Sequence, residues 1–139
     1  MNKEEFVKIR KRLKKTQREI AKLLGISYKT VESYEQGNRN IPKNAARLLY
    51  FLLFKLNMDR LDSTRLCWEV NNCPPDCRDH CVAWLAREGV FCWFLTCTSC
   101  LRGKPVPKAT SNTCHSCDFF KENLEKVYRS DQHSPKNPN

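Results

Sequence analysis

The chain has no long apolar run. Its longest, Leu48 to Phe54, is bracketed by Arg47 and Lys55 and falls far short of the roughly 20 residues needed to span a bilayer. The opening stretch, MNKEEFVKIRKRLKK, holds no apolar segment of the kind found in a signal peptide, so neither export nor membrane anchoring is expected and the protein is placed in the cytoplasm. An alternating apolar and polar pattern is also missing ahead of the cysteine pairs, which removes the strand-then-helix setting that a thioredoxin-like redox site requires. No whole module repeats, although the dipeptide Cys-Trp recurs at Cys67-Trp68 and Cys92-Trp93.

Acidic residues are scarce in one part only. Met1 to Met58 carries fourteen Lys plus Arg against five Asp plus Glu, a net of +9, and the remainder carries eleven against ten, a net of +1; the two account for the +10 of the whole chain. An excess confined to one half points to a polyanionic partner rather than to a general solubility charge. Cysteine is confined to the other half, all nine lying between Cys67 and Cys117. The 139 residues therefore divide into two small domains.

The basic half is organised around Thr16 to Gly37, TQREIAKLLGISYKTVESYEQG. Thr16 is a good N-cap and Glu19 completes a capping box, so a helix should start at Gln17 with Ile20, Ala21, Leu23 and Leu24 on its apolar face. Gly25 tolerates the positive φ of a helix end, and Ser27 can cap a second helix only two residues later, so the chain must turn sharply. Val31 and Tyr34 face back from that second helix. Tyr28, Lys29, Thr30 and Ser33 are left to point outward, at the end that would enter a DNA major groove. Gly37 closes the unit. The competing interpretation is a helical hairpin used for protein contacts.

Thr16-Gln17, Ala21, the Gly25 turn and the Tyr34-Glu35-Gln36-Gly37 exit resemble the lambda-repressor-like, or Xre-type, helix-turn-helix family over about residues 3 to 56. The resemblance implies a recognition helix starting at Ser27, with Tyr28, Lys29 and Ser33 facing bases and Gln17 near phosphate. Tyr28 departs from the family, whose members often carry Gln, Ser or Arg there.

Around this motif, a first helix is predicted from about Lys3 to Lys14, capped by Asn2, with Phe6, Ile9 and Leu13 inward. Arg10, Lys11, Arg12, Lys14, Lys15 and Arg18 lie where phosphate contacts are needed, and Asn38, Arg39 and Asn40 form a polar loop suited to a phosphate. A further helix follows Pro42, from about Lys43 to Asn57, with Ala45, Leu48, Leu49, Leu52, Leu53 and Leu56 on one face. Tyr50, Phe51 and Phe54 would remain outside that face, a surplus that suggests a homodimer contact or a seat for the cysteine-rich half. Dimerisation suits a two-fold symmetric DNA site.

A cysteine-rich stretch of about fifty residues cannot hold itself together by burial alone and usually needs a metal, disulfides or a partner. In a reducing compartment metal is favoured. Cys97/Cys100 and Cys114/Cys117 are Cys-x-x-Cys pairs separated by 13 residues, a spacing at which two thiolate pairs bite one metal. Five further cysteines, Cys67, Cys73, Cys77, Cys81 and Cys92, leave room for a second centre or for an iron-sulfur cluster with spare thiols; spacing alone does not separate zinc from iron. His80 and His115 are secondary ligand candidates, and His133 is not one. Trp68, Trp84 and Trp93 read as core filler around the centre rather than as a ligand-binding cage.

Cys67-Trp68-Glu69, Asn72-Cys73, Cys81, Gly89 ahead of Cys92-Trp93, Cys100 and Cys114-x-x-Cys117-Asp118-Phe119-Phe120 resemble a small bacterial module, the two-CW domain, over about residues 66 to 124. The resemblance implies a metal or iron-sulfur centre beside a sensory or regulatory domain; Cys77 and Cys97 stand outside its pattern. A closing amphipathic helix is predicted from Asp118 to about Arg129, and 130–139 reads as a disordered tail.

The expected protein is mainly α: a four-helix helix-turn-helix domain over 1–57, a short linker over 58–65, and a small irregular cysteine-rich, metal-binding domain over 66–129 that ends in a helix. The expected function is sequence-specific DNA binding in transcriptional regulation, without enzymatic activity. A protein-binding adaptor or antitoxin-like role is the alternative, and a thiol redox enzyme the third.

Overall fold

The computed structural model describes residues 1–96 and 117–129. It is mainly helical, and no strand occurs among the described residues. The chain divides into two compact units, Met1–Met58 and Asp59–Asn139.

The first unit contains four helices, α1 (Lys3–Arg12), α2 (Gln17–Leu24), α3 (Tyr28–Gln36) and α4 (Lys43–Leu56). Asn2 caps α1 by accepting the Glu5 amide proton at 2.8 Å, and Glu4 and Glu5 sit in the positively polarised first turn. The helix stops two residues earlier than its composition predicts, because Lys14 turns into the left-handed region at φ 53°. That reversal lets the Lys15 amide close on the Arg10 carbonyl at 3.2 Å. Phe6 and Ile9 are fully buried. Packing of α1 against α3 and α4, and of α2 against α3, encloses a core of Phe6, Ile9, Ile20, Val31, Leu49 and Leu53.

The orientation of α4 corrects the expectation. Its buried face is Ala46, Leu49, Tyr50, Leu53 and Phe54, the i, i+3, i+4, i+7, i+8 stripe of an ordinary core-facing helix. Tyr50 and Phe54 are 3 % and 0 % exposed, whereas Leu56, placed on the core face by periodicity, is 61 % exposed. Ala45, Leu48 and Leu52 are only half-buried. The helix is apolar nearly all round, so two overlapping stripes satisfy the same period, and the larger aromatic side chains take the interior. Tyr50 and Phe54 therefore offer no exposed surface on which a second copy could sit. Leu23 is likewise exposed rather than on the inner face of α2, which buries Ile20 and Ala21.

A 3-10 turn, Met58–Arg60, crosses the boundary into the second unit and leads to Asp62, whose Oδ1 accepts the Thr64 amide and hydroxyl protons at 3.0 and 2.6 Å. Four short helices follow, α5 (Cys67–Val70), α6 (Pro75–Arg78), α7 (Val82–Leu85) and α8 (Cys92–Thr96), and then α9 (Asp118–Arg129). The last has the bounds that its amphipathic pattern predicts, burying Phe119, Phe120, Asn123 and Val127. Trp93 is 1 % exposed and meets Phe120 edge-on, with ring centroids 5.3 Å apart, so α8 and α9 share one small aromatic core. No helix among the described residues is long and apolar enough to cross a membrane.

Candidate nucleic-acid interface

The turn between α2 and α3 forms as local chemistry dictates. Thr16 Oγ1 accepts the Glu19 amide proton at 3.2 Å, and Glu19 Oε2 accepts the Thr16 amide proton at 2.8 Å. Both halves of the capping box are made, satisfying two amides that the helix itself leaves unpaired. Gly25 adopts φ 65°, and the Ile26 amide donates to the Ala21 carbonyl at 3.0 Å while Gly25 donates to Lys22 at 3.2 Å. This is a Schellman closure. Ser27 then caps α3, its Oγ accepting the Thr30 amide proton at 3.2 Å. Gly37, at φ 80°, ends α3 by the same device, with Asn38 donating to the Ser33 carbonyl at 2.9 Å. Val31 and Tyr34 face the core, and Tyr34 meets Phe6 of α1 edge-on at 5.7 Å.

The outward face of α3 is set by the same register. Tyr28 and Lys29 are exposed, and Thr30 and Ser33 are half-buried. Their hydrogen-bonding capacity differs. Thr30 Oγ1 lies 2.9 Å from Ser27 Oγ, so those two hydroxyls are engaged with one another. Ser33 Oγ donates back to the Lys29 carbonyl at 2.9 Å, which spends its proton and leaves lone pairs for any ligand. Tyr28 lies under the Arg18 guanidinium, 5.4 Å from the ring centroid, a cation–π pairing that ties α2 to the first residue of α3. Glu32, one turn on from Tyr28, raises the phenol pKa by hydrogen bonding, with desolvation adding to the effect. Composition had given Glu32 no role on this face.

Two expected phosphate contacts are placed differently. Gln17, the first residue of α2, donates its side-chain amide to Glu35 Oε2 at 2.7 Å. Arg10 binds the same carboxylate through Nε, and through Nη2 at 3.3 Å, while its Nη1 donates to the Lys15 carbonyl at 3.0 Å. Arg10 thus joins α1, α2 and α3 at one point rather than facing a partner. Of the other cations, Lys15 pairs with Glu19 at 3.6 Å, and Lys11, Lys14, Arg18 and Lys29 are exposed. Asn38 and Arg39 lie exposed just beyond Gly37, with Asn38 Nδ2 donating to Gln36 Oε1 at 2.9 Å. No sequence signal marks the Arg10–Glu35–Gln17 junction, because its members are 18 and 25 residues apart.

The two capped helices around Gly25, packed on α1, define a helix-turn-helix domain. Residues 7–49 match the family described as Helix-turn-helix. No curated protein and no solved structure matches the chain.

The cysteines expected to hold a metal were placed as follows. Cys67, Cys92 and Cys117 are buried, Cys73, Cys77 and Cys81 are half-buried, and none of the six is disulfide-bonded. Asn71 connects two of them: its Nδ2 donates to the Cys67 carbonyl at 2.8 Å, and Cys117 Sγ donates to its Oδ1 at 3.6 Å. Cys97, Cys100, Cys114 and His115 lie outside the described residues, as does the tail from 130 onward. Among the described residues no three His, Cys, Asp or Glu side chains come together in a way that would hold a metal ion. His80 is exposed.

Proposed function

We propose that the protein is a sequence-specific DNA-binding transcriptional regulator that acts by binding rather than by catalysis. One observation carries this reading: Ser27 caps α3 so that Tyr28, Lys29 and Ser33 stand on one outward face while Val31 and Tyr34 anchor the opposite one. A helix so held, beside a unit with a net charge of +9, suits a major groove flanked by phosphates. Lys11, Lys14 and Arg18 would supply salt-dependent affinity, and the face of α3, Lys29 included, would supply base preference. The reading includes a homodimer, whose paired recognition helices would sit about 34 Å apart on a two-fold symmetric site, and a cytoplasmic location. Selection of binding sequences from random duplex DNA tests it: a recovered consensus that changes in Lys29→Ala supports it, and binding without sequence preference sinks it.

The cysteine-rich half adds a finer proposal, a zinc or iron-sulfur thiolate centre that responds to metal or oxidation. It is supported by the nine clustered cysteines, of which Cys67, Cys92 and Cys117 are buried. Metal analysis and an absorption spectrum of anaerobically purified protein test it; metal-free, colourless protein with unchanged folding would end it. An adaptor or antitoxin-like role is the second reading, favoured by the exposure of Val82 and Leu85 on α7. Co-purification of a stoichiometric protein partner would decide for it.

A further inference from the structure

The second unit contains a cavity of about 490 Å³ lined by Leu66, Trp68, Trp84 and Arg87. Its size falls within the range of small-molecule sites. The walls are fixed from behind. Trp68 and Trp84 meet edge-to-face, with centroids 5.0 Å apart and planes at 81°. The Arg78 guanidinium stacks over Trp84 at 4.9 Å, and its Nε donates to the Cys73 carbonyl at 2.9 Å, so the indole is clamped between two side chains. At the mouth of α5, Gly89 accepts the Cys67 amide proton at 3.2 Å. A Cβ on Gly89 would lie 2.8 Å from Leu66 Cδ2 and 3.0 Å from Trp68 Cη2, so the absent side chain is what lets these two walls stand where they do.

Among the described residues, the polar chemistry of the lining has one sign. Leu66 is apolar, the two tryptophans contribute only indole N–H donors, and Arg87 contributes only guanidinium donors and a positive charge. Neither indole N–H nor the Arg87 guanidinium has a hydrogen-bond or ion-pair partner among the described residues. The neighbouring acids are turned away. Glu69 Oε2 accepts the Leu66 amide proton at 3.4 Å, and Glu88 Oε1 accepts the Phe91 amide proton at 3.3 Å. Arg87 itself is held at φ 54°, in the left-handed region that a long side chain rarely adopts, and its amide donates to the Trp84 carbonyl at 3.0 Å. The Glu88 amide donates to the Ala83 carbonyl at 2.9 Å, so this left-handed residue closes α7 as Gly25 closes α2, and that closure fixes where Arg87 leaves the helix.

An occupant of this cavity must offer apolar surface to two indoles and a leucine, and a negative charge or acceptors to a guanidinium that has no partner among the described residues. We propose that the cavity binds a small aromatic carboxylate, its ring against Trp68 and Trp84 and its carboxylate on Arg87. The site lies wholly within the second unit and does not depend on the DNA-binding reading. It also departs from the expectation that all three tryptophans are core filler: Trp93 is, but Trp84 forms an accessible wall.

Phenylacetate and its neutral isostere phenylacetamide separate the charge from the ring. Titrated into the full-length protein by calorimetry, phenylacetate should bind saturably in the millimolar range or below, and phenylacetamide about tenfold more weakly or worse. Arg87→Gln should bring phenylacetate down to the level of the amide and leave the amide unchanged, while Arg87→Lys should recover part of the difference. Arg87 is exposed, so neither change threatens folding, and quenching of tryptophan fluorescence by phenylacetate gives an independent readout. Equal binding of acid and amide, no saturable binding of either, or an Arg87→Gln protein that binds phenylacetate like the parent would each overturn the proposal.

Discussion

Arg10 and Glu35, one at the end of the first helix and the other near the end of the third, form a charge pair whose side chains are only 16 % and 12 % exposed. The same carboxylate receives the Gln17 amide, so all three helices of the reading head are joined through one acidic group. Arg10→Ala would leave a largely buried carboxylate with one neutral donor. The expected cost is about 2–3 kcal/mol of stability, with Gln17→Ala costing about 1 kcal/mol. Chemical denaturation of the variants measures both. A further consequence separates this arginine from the phosphate-facing cations: Lys11→Ala should lower the salt slope of DNA affinity by about 1, and Arg10→Gln should leave that slope nearly unchanged. A drop in slope for Arg10→Gln would show that it faces phosphate after all.

Gly25 and Gly37 should respond alike to alanine for one reason and differ for a second. Both sit at positive φ, 65° and 80°, where a Cβ costs about 1–2 kcal/mol. Around Gly25 nothing lies within 4 Å of the added carbon, whereas at Gly37 it would approach Lys3 Cδ at 3.0 Å. That side chain is flexible and exposed and can move aside. Gly25→Ala and Gly37→Ala are therefore expected to destabilise the protein by similar amounts, about 1 kcal/mol each, with asparagine costing less at either site. A neutral Gly25→Ala change in thermal melting would mean that the turn is not left-handed there.

What the sequence disclosed and what it withheld follow a physical divide. Thr16 with Glu19, Gly25, Ser27 and Gly37 act on amides within five residues of themselves, so their geometry could be read from spacing, and the structure has it. The face of α4 could not, because Leu48, Leu52 and Leu56 compete with Ala46, Tyr50 and Phe54 for one period, and only packing against α1 breaks the tie. The resemblance places Gln17, and the basic run Arg10, at phosphate, since nothing local shows that Glu35 will come within reach of both. In the second unit the helix from Asp118 to Arg129 was legible as a stripe. The Trp68–Trp84 wall was not, because it joins two short helices through a glycine whose importance lies only in what it fails to touch.

Glu19 should make the first unit sensitive to acid. Hydrogen bonds from the Thr16 amide and then the Thr16 hydroxyl hold its carboxyl below the ordinary 4.5, with Lys15 assisting and desolvation opposing. A carboxyl with a lowered folded-state pKa contributes stability that is present above its unfolded value and is lost as pH falls through the folded one. The contribution should therefore be complete at neutral pH and fade below about 4.5. Glu19→Gln keeps an acceptor for the capping box but cannot titrate. The difference in melting temperature between parent and variant is expected to shrink from pH 6 to pH 3; a difference independent of pH would remove Glu19 from the account.

Gly89→Ala is expected to strain the second unit. The added Cβ would meet Leu66 Cβ at 2.9 Å as well as the Trp68 ring, and a backbone-attached atom of Leu66 cannot retreat as a free side-chain end would. Overpacking of this kind costs about 1–3 kcal/mol. Near-UV circular dichroism should report it through altered tryptophan packing, and a native signal with unchanged stability would show that the α5 walls have room to yield.

Base preference should split between donors and acceptors along α3. Lys29 carries only donors, so in a major groove it suits guanine O6 and N7. Ser33 has already given its proton to the Lys29 carbonyl, and toward DNA it offers lone pairs, which suit the amino group of adenine N6 or cytosine N4. Lys29→Ala should relax selection at a guanine, and Ser33→Ala at an adenine or cytosine, each by about 1–3 kcal/mol of discrimination against the wrong base. Thr30, whose hydroxyl is engaged with Ser27, should matter less to preference and more to the stability of the helix start, where loss of the Ser27 cap itself would cost about 1 kcal/mol. Sequence selection with each variant resolves these effects position by position. If Ser33→Ala changed selection at guanine or thymine instead, the hydroxyl must rotate away from the helix on binding, and the acceptor assignment would fail while the recognition helix stood.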